Sequence, residues 1–145
     1  MATQFDGLDA LIRKALLGFI KCDAETSETP EFAELRTRHY AASTSEVYDA
    51  ALRVIERYIQ WTVTGREKNL GGMATIKCDI VSLVLGGNID TFSVWMIEEI
   101  LPSGGKGVSV NARSISNAGT KGDLGENRRH IGFFLEALDK EVSRK

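Results

Sequence analysis

The chain is poor in the residues that usually announce a mechanism. In 145 residues it has two cysteines, Cys22 and Cys78, and two histidines, His39 and His130. No Cys-x-x-Cys pair occurs, and the cysteines and histidines together fail the ligand spacing of a zinc site. Two separated thiols are expected to stay reduced, which fits a cytoplasmic protein. There is no Gly-x-Ser-x-Gly elbow and no His-Glu-x-x-His pair, so the familiar hydrolase and metalloprotease constellations are missing. Long apolar runs are missing as well. The longest near the start, Ala15–Ile20, falls well short of the about 20 residues that a bilayer span needs. Lys21 stands directly before Cys22, where a cleaved leader would carry small residues, so residues 15–22 read poorly as a signal or lipoprotein sequence. Nor does one sign of charge dominate: 18 basic and 20 acidic residues leave a net −2. Residues 1–103 carry 10 basic and 15 acidic groups and residues 104–145 carry 8 and 5, too mild a contrast for a nucleic-acid footprint.

What is there is an ordinary globular composition, 43% hydrophobic and 26% charged, of a length that suits one domain. Leu8, Leu11, Ile12, Ala15, Leu16 and Phe19 recur every three or four residues, which predicts an amphipathic helix over residues 1–22, appended to the domain. Residues 23–31 are polar and read as a linker, leaving residues 32–145 as a single domain. Leu35–Ala41 alternates and predicts a strand. Ser43 and Glu46 form a capping box that opens a helix to about Gln60, with Val47, Ala51, Val54, Ile55 and Tyr58 inward. Strands follow over Trp61–Thr64, Met73–Leu85, Thr91–Ile100 and Val108–Ser116, separated by glycine turns at Gly71-Gly72, Gly86-Gly87 and Gly104-Gly105. Connections this short join antiparallel neighbours. The last element runs from Leu124 to Val142, with Asp123 as N-cap, Glu126 completing a second capping box, and Ile131, Phe134, Leu135 and Leu138 inward. The fold class is therefore α+β: an antiparallel sheet of about five strands packed against amphipathic helices. That order is similar to the helix-grip ligand-binding folds, a likeness at the level of fold alone.

Residues 112–131 read ARSISNAGTKGDLGENRRHI. They resemble the signature of a bacterial and plant family known as domain of unknown function 1499, which runs Arg-Ser-x-Ser-Arg, a glycine, Asp-Leu-Gly-x-Asn, then an arginine-rich turn ending in isoleucine. Arg113, Ser114, Ser116, Gly119, Asp123, Leu124, Gly125, Asn127, Arg128, Arg129 and Ile131 match it, and Tyr40-Ala41-Ala42 and Asp90-Thr91-Phe92-Ser93-Val94-Trp95 look like the looser upstream pattern. The resemblance spans roughly residues 30–142 and implies no established reaction. Asn117 and His130 stand where the family tends to have arginine, and the loop from Gly119 to Asp123 is one residue longer.

The strand-to-helix corner is the candidate site: Arg113, Ser114 and Ser116 on the strand, Asp123 and Asn127 at the helix start, Arg128 and Arg129 one turn on, with Trp95 from the neighbouring strand. Free amides at the helix start and three arginines suit a carboxylate or phosphate. The same residues serve equally as a structural corner, with Asp123 capping, Arg113 paired to an acid and Asn127 bonded to the loop. His130, within an Arg-Arg-His run, and His39, beside Thr37, both read as surface or satisfied residues. Glu98 and Glu99 are adjacent on a strand and so point to opposite faces. Trp61, Trp95, Phe92, Phe133 and Phe134 either fill a core or line a cavity between sheet and helix. The functional expectation is a binding domain rather than an enzyme, with no cofactor and no metal, taking a small apolar or amphipathic molecule between sheet and C-terminal helix. The alternative is an assembly module that forms a homo-oligomer through the N-terminal helix or a sheet edge.

Overall fold

The computed structural model describes residues 23–68, 71–81, 89–116 and 125–143. The expected N-terminal helix, Cys22, the Gly86-Gly87 turn, Asp123 and Leu124 lie outside the described residues.

Among the described residues there are six strands and two α-helices: β1 (Asp23–Glu25), β2 (Arg38–Tyr40), α1 (Thr44–Glu56), β3 (Trp61–Lys68), β4 (Met73–Val81), β5 (Ile89–Ile100), β6 (Lys106–Ser116) and α2 (Glu126–Val142). The strands form one sheet in the order β1-β6-β5-β4-β3, every strand pair antiparallel, with β2 also paired to β6. This is the expected α+β fold, in which a long C-terminal helix covers one face of a meander. The sixth strand comes from the stretch expected to be a linker. Asp23–Glu25 pairs with Arg113–Ile115, and Ser27 bridges to Arg36, so the polar segment belongs to the sheet. Its polarity misleads because β1 lies at the margin of the sheet, where two of its three side chains are half-buried and one is exposed.

β1 and β2 share one edge of β6, β2 taking Val108–Val110 and β1 the residues beyond. The gap between them is closed by threonines. The Thr26 amide donates to the Ala112 carbonyl at 3.0 Å, and its hydroxyl accepts from the Ala112 amide at 3.0 Å, replacing the missing ladder partner. The Thr26 and Thr37 hydroxyls both donate to Asn111 Oδ1 at 2.7 Å. Leu35, expected at the start of a strand, instead ends a 3-10 turn (Ala33–Leu35) and is buried.

α1 begins as its capping box requires: Ser43 Oγ accepts from the Glu46 amide at 3.1 Å and Glu46 Oε2 accepts from the Ser43 amide at 3.3 Å. Alternation along the strands sends Ala74, Ile76, Cys78, Ile80, Phe92, Val94, Met96, Val108, Val110 and Ala112 to the inner face, all buried. Val47, Ala51, Val54 and Ile55 of α1 and Ile131, Phe134, Leu135 and Leu138 of α2 close over them. Burial pushes the free Cys78 thiol up to about 12, so it is a core hydrophobe and a poor nucleophile. The two helices are clasped by Glu141, which is bound by Arg57 and, at 3.0 Å, by Arg53. The two guanidiniums, Arg57 foremost, hold its carboxyl below the usual carboxylate range. At the opposite edge β3 is broken by a register shift between Val63 and Gly65 and ends in Arg66-Glu67-Lys68, features that discourage edge-to-edge pairing.

Candidate functional site

Under the first turns of α2 the otherwise apolar interior turns polar. Asp90 is the second residue of β5 and occupies the same alternation positions as Phe92, Val94 and Met96, so its carboxylate faces inward and is fully buried. Ser116 and Ser114 lie opposite Asp90 and Phe92 on β6, also facing inward. α2 does not start at the expected capping box. Its N-cap is Gly125, in the left-handed region at φ 80°, with no side-chain cap. Gly125 is the residue type that adopts this angle without strain. Glu126 is therefore the first helical residue, and its side chain turns inward to His130, one turn later on the same helix face. His130 Nε2 lies 3.4 Å from Glu126 Oε1 and His130 Nδ1 lies 3.5 Å from Asp90 Oδ2. All three residues are buried. Among the described residues, one donor atom from each lies within 4.8 Å of the others. Beside them Ser114 Oγ donates to Asn127 Oδ1 at 2.6 Å, both residues fully buried.

This polar group abuts an aromatic cluster. The Trp61 ring lies edge-on to the His130 ring at 5.8 Å and packs on Tyr58 and Phe92, each at 4.9 Å. Between them opens a cleft of about 370 Å³ lined by Tyr58, Trp61 and Ile80 from the sheet side and by Glu126, Arg129, His130 and Phe133 from α2. Phe133 is 58% exposed although its neighbour Phe134 is buried, so the cleft has an apolar lip on the helix surface. Burial raises the Tyr58 phenol above its ordinary value, so it stays neutral and serves the wall as an apolar ring with a polar tip.

The structure divides the residues expected at the corner. Ser114, Ser116 and Asn127 meet beneath the helix start. Arg113 faces the other side of the sheet and pairs with Asp23 at 3.4 Å, as the structural reading of the corner anticipates. Arg128 reaches Glu34 at 3.4 Å and lies over the Phe32 ring at 4.4 Å. Arg129 alone of the three lines the cleft. Arg128 and Arg129 both place guanidinium nitrogens beside Gly125, while Arg113 stands apart. Trp95 alternates with Val94 and Met96 and so lies on the sheet face away from α2. Of the five aromatics weighed as cavity liners, Trp61 and Phe133 line the cleft and Phe92 and Phe134 fill the core. His130, expected in an exposed run, is buried, because position 130 falls one turn before Phe134 on the inward stripe of α2. Asp90 and Glu126 are the site residues that sequence reasoning misses. The signals available for them are an Asp in phase with Phe92 and a Glu-x-x-x-His spacing.

His39 is the other histidine, and it sits on the surface. Nδ1 lies 2.5 Å from Glu99 Oε1 and Nε2 lies 2.6 Å from Glu28 Oε1. The Glu99 carboxylate, with Glu28 in support, raises its pKa above 6.5. Glu98 turns to Lys106 instead, at 3.8 Å, so the two adjacent carboxylates are separated as expected. A raised folded value means that this bridge stabilises the fold fully below pH 6.5 and is lost as pH rises through the folded value. Since the His39 side chain is 40% exposed, solvent screens the pair and its contribution is at most about 1 kcal/mol. His39→Gln is expected to remove that slope from the pH dependence of unfolding free energy. An unchanged slope between mildly acidic and mildly alkaline pH would show that the bridge contributes nothing.

No protein-family model matches the chain, and no curated protein is significantly similar to it in sequence. Solved structures give distant likenesses. An uncharacterized protein from Rhizobium leguminosarum is 11% identical, with 85% of this chain and 95% of that chain covered, at a TM-score of 0.40. TTHA0849 from Thermus thermophilus is 15% identical, covering 83% and 96%, at 0.36. Ara h 8.0201 is 13% identical, covering 84% and 98%, at 0.32. Likeness this distant assigns neither family nor ligand. Among the described residues no helix is long and apolar enough to cross a membrane.

Proposed function

We propose that the chain is a binding domain for a small amphipathic molecule, held in the cleft between the β3–β4 end of the sheet and the first half of α2. The observation that carries this is the division of the cleft's own walls. Tyr58, Trp61, Ile80 and Phe133 offer an apolar body, and Glu126, Arg129 and His130 offer a polar end. Sites for small molecules combine apolar walls with a few convergent polar groups, at volumes of roughly 300–1,000 Å³. The cleft, at about 370 Å³, falls at the small end of that range. The Arg129 guanidinium favours an anionic head, because a carboxylate there gains a charge-assisted hydrogen bond. The molecule enters beside α2 rather than through the middle of the sandwich, where Phe92, Met96, Phe134 and Leu138 leave the interior filled. The resemblance of residues 113–131 to domain of unknown function 1499 adds no activity to this proposal.

Trp61 makes the test direct. The Trp95→Phe protein retains a single tryptophan in the cleft wall, and it is titrated with decanoate and with decanol as the uncharged counterpart. Decanoate is expected to change Trp61 emission saturably and more tightly than decanol. Phe133→Ala, which removes an exposed wall residue, is expected to weaken decanoate binding about tenfold, the equivalent of a partly buried phenylalanine ring. No saturable change with either probe, or binding indifferent to Phe133→Ala, overturns the proposal.

A further inference from the structure

We infer that Asp90, Glu126 and His130 form a binding site for a divalent transition-metal ion, of the zinc or manganese class, at the inner end of the cleft. The inference goes beyond the binding of an amphipathic molecule and does not depend on it, since it needs only these three side chains.

The donor set comes first. Two carboxylates and one imidazole are the oxygen and nitrogen ligands that first-row divalent ions take, and the absence of a thiolate argues against a soft ion. Glu126 and His130 are four residues apart on α2, which stacks their side chains on one helix face, and Asp90 meets them from β5. Glu126 Oε1 lies 3.4 Å from Nε2 of His130 and Asp90 Oδ2 lies 3.5 Å from its Nδ1. An ion bonds only one of these ring nitrogens, and one donor atom from each of the three residues lies within 4.8 Å of the other two. Ligands bonded to one zinc-sized ion at about 2.0–2.2 Å stand roughly 3.3–3.6 Å apart around it, so the set reaches such an ion by rotation of the two carboxylate side chains.

Charge points the same way. Asp90 is fully buried and Glu126 and His130 are nearly so. Two carboxylates together match the charge of one divalent ion. Burying net charge is costly, and the cost falls when the ion's charge matches the ligands'. The ion's position explains two further features of the site. Glu126 and His130 also line the cleft, so the ion would have a side open to the cleft, as ions with exchangeable positions do. Trp61 lies edge-on to the His130 ring, fixing its orientation as a ligating imidazole requires.

The test uses the full chain stripped with a chelator and carrying His39→Gln. That substitution removes the imidazole of a rival surface site, the one flanked by Glu28 and Glu99. Cobalt(II), whose visible absorption reports nitrogen and oxygen coordination, is titrated in and then displaced with zinc. The expected result is one ion per chain, displaced by zinc, with binding lost in His130→Gln and weakened at least about tenfold in Asp90→Asn and Glu126→Gln. Circular dichroism checks that each variant folds. Should the Asp90 or His130 variant unfold, Glu126→Gln at the first position of α2 decides, since removing its charge leaves the helix backbone intact. A folded His39→Gln chain that takes up no cobalt overturns the inference, as does affinity unchanged in Glu126→Gln. Decanoate binding by Trp61 that survives such a failure would leave the amphiphile proposal standing, so the two fail separately.

Discussion

Phe134→Ala is expected to lower the free energy of unfolding by about 3–5 kcal/mol, the range for deleting a buried phenylalanine ring. The ring is fully buried at the junction of helix and sheet. It meets Phe92 edge-on at 5.1 Å and stacks with Trp61 at 6.4 Å. Neither neighbour can move into the space it would leave, because Phe92 is held in a strand paired on both sides and Trp61 in a ladder with Ile80. The cavity therefore stays open, which places the loss toward the upper end. With domains of this kind stable by about 5–15 kcal/mol in total, the variant should be marginal. Denaturant unfolding measures it, with an unchanged m-value showing that the two states are otherwise the same. The adjacent substitution, Phe133→Ala, is expected to change stability by no more than about 0.5 kcal/mol, because that ring is on the surface. Phe134 thus reports on the fold and Phe133 on the cleft. A loss below about 2 kcal/mol for Phe134→Ala would mean that α2 does not rest on the sheet as described.

The contrast between those two neighbours shows what the sequence makes legible. Period-3.6 placement of Ile131, Phe134, Leu135 and Leu138 predicts the buried stripe of α2, and alternation through Ala74–Ile80 and Phe92–Met96 predicts the inner face of the sheet. Both are local patterns driven by burial, and the structure follows them. Two kinds of feature resist. Short marginal strands such as β1 carry no apolar alternation, because their side chains are at best half-buried and their partner lies some 90 residues away. The polar group under α2 is hidden for a related reason. Asp90, Glu126 and His130 come from separate places in the chain and are united by pairing and helix phase, which composition does not display. Reading phase without regard to polarity finds them: Asp90 falls in step with Phe92, and His130 one turn before Phe134. The corner arginines show the converse. Arg113, Arg128 and Arg129 are close in sequence and attract attention together, yet strand alternation sends Arg113 to the far face of the sheet, and of the two that flank Gly125 only Arg129 lines the cleft.

Placing charged ligand-type groups at one end of a helix and structural anchors at the other divides α2 by role. Its far end is fixed to β2. Arg38 Nε bonds Asp139 at 3.1 and 3.2 Å, and the Tyr40 hydroxyl donates to Asp139 Oδ1 at 2.6 Å. Burial, together with the Asp139 carboxylate, keeps that phenol protonated through the alkaline range. The cleft end is tied to the sheet by Ser114 and Asn127 instead, leaving Glu126, Arg129, His130 and Phe133 to line the cleft. Changes at β2 should consequently act on stability, and changes at those four residues on binding.

Gly107→Ala tests the anchored end. Gly107 is buried on β6, opposite Glu99 and beside the β2–β6 junction. A methyl group there would stand 2.6 Å from Leu101 Cδ2 and 2.7 Å from the Tyr40 carbonyl oxygen. The leucine can rotate aside. The carbonyl cannot, because Tyr40 is in register with Val108 and its side chain is tied to Asp139. Relief requires β2 to peel from β6, so the substitution is expected to cost about 2–3 kcal/mol despite alanine's smaller loss of backbone entropy in a strand. Gly105→Ala supplies the comparison, since its nearest neighbour would be Ser103 Oγ at 3.9 Å and the expected change is close to zero. Amide spectra should show shifts concentrated at Arg38–Tyr40 in the Gly107 variant, with Trp61 emission and its response to decanoate preserved. If Gly107→Ala proves neutral, the close approach of β2 to β6 is wrong. If it instead abolishes the Trp61 response while the chain stays folded, the two ends of α2 are coupled, and the division of the helix into an anchored half and a binding half fails.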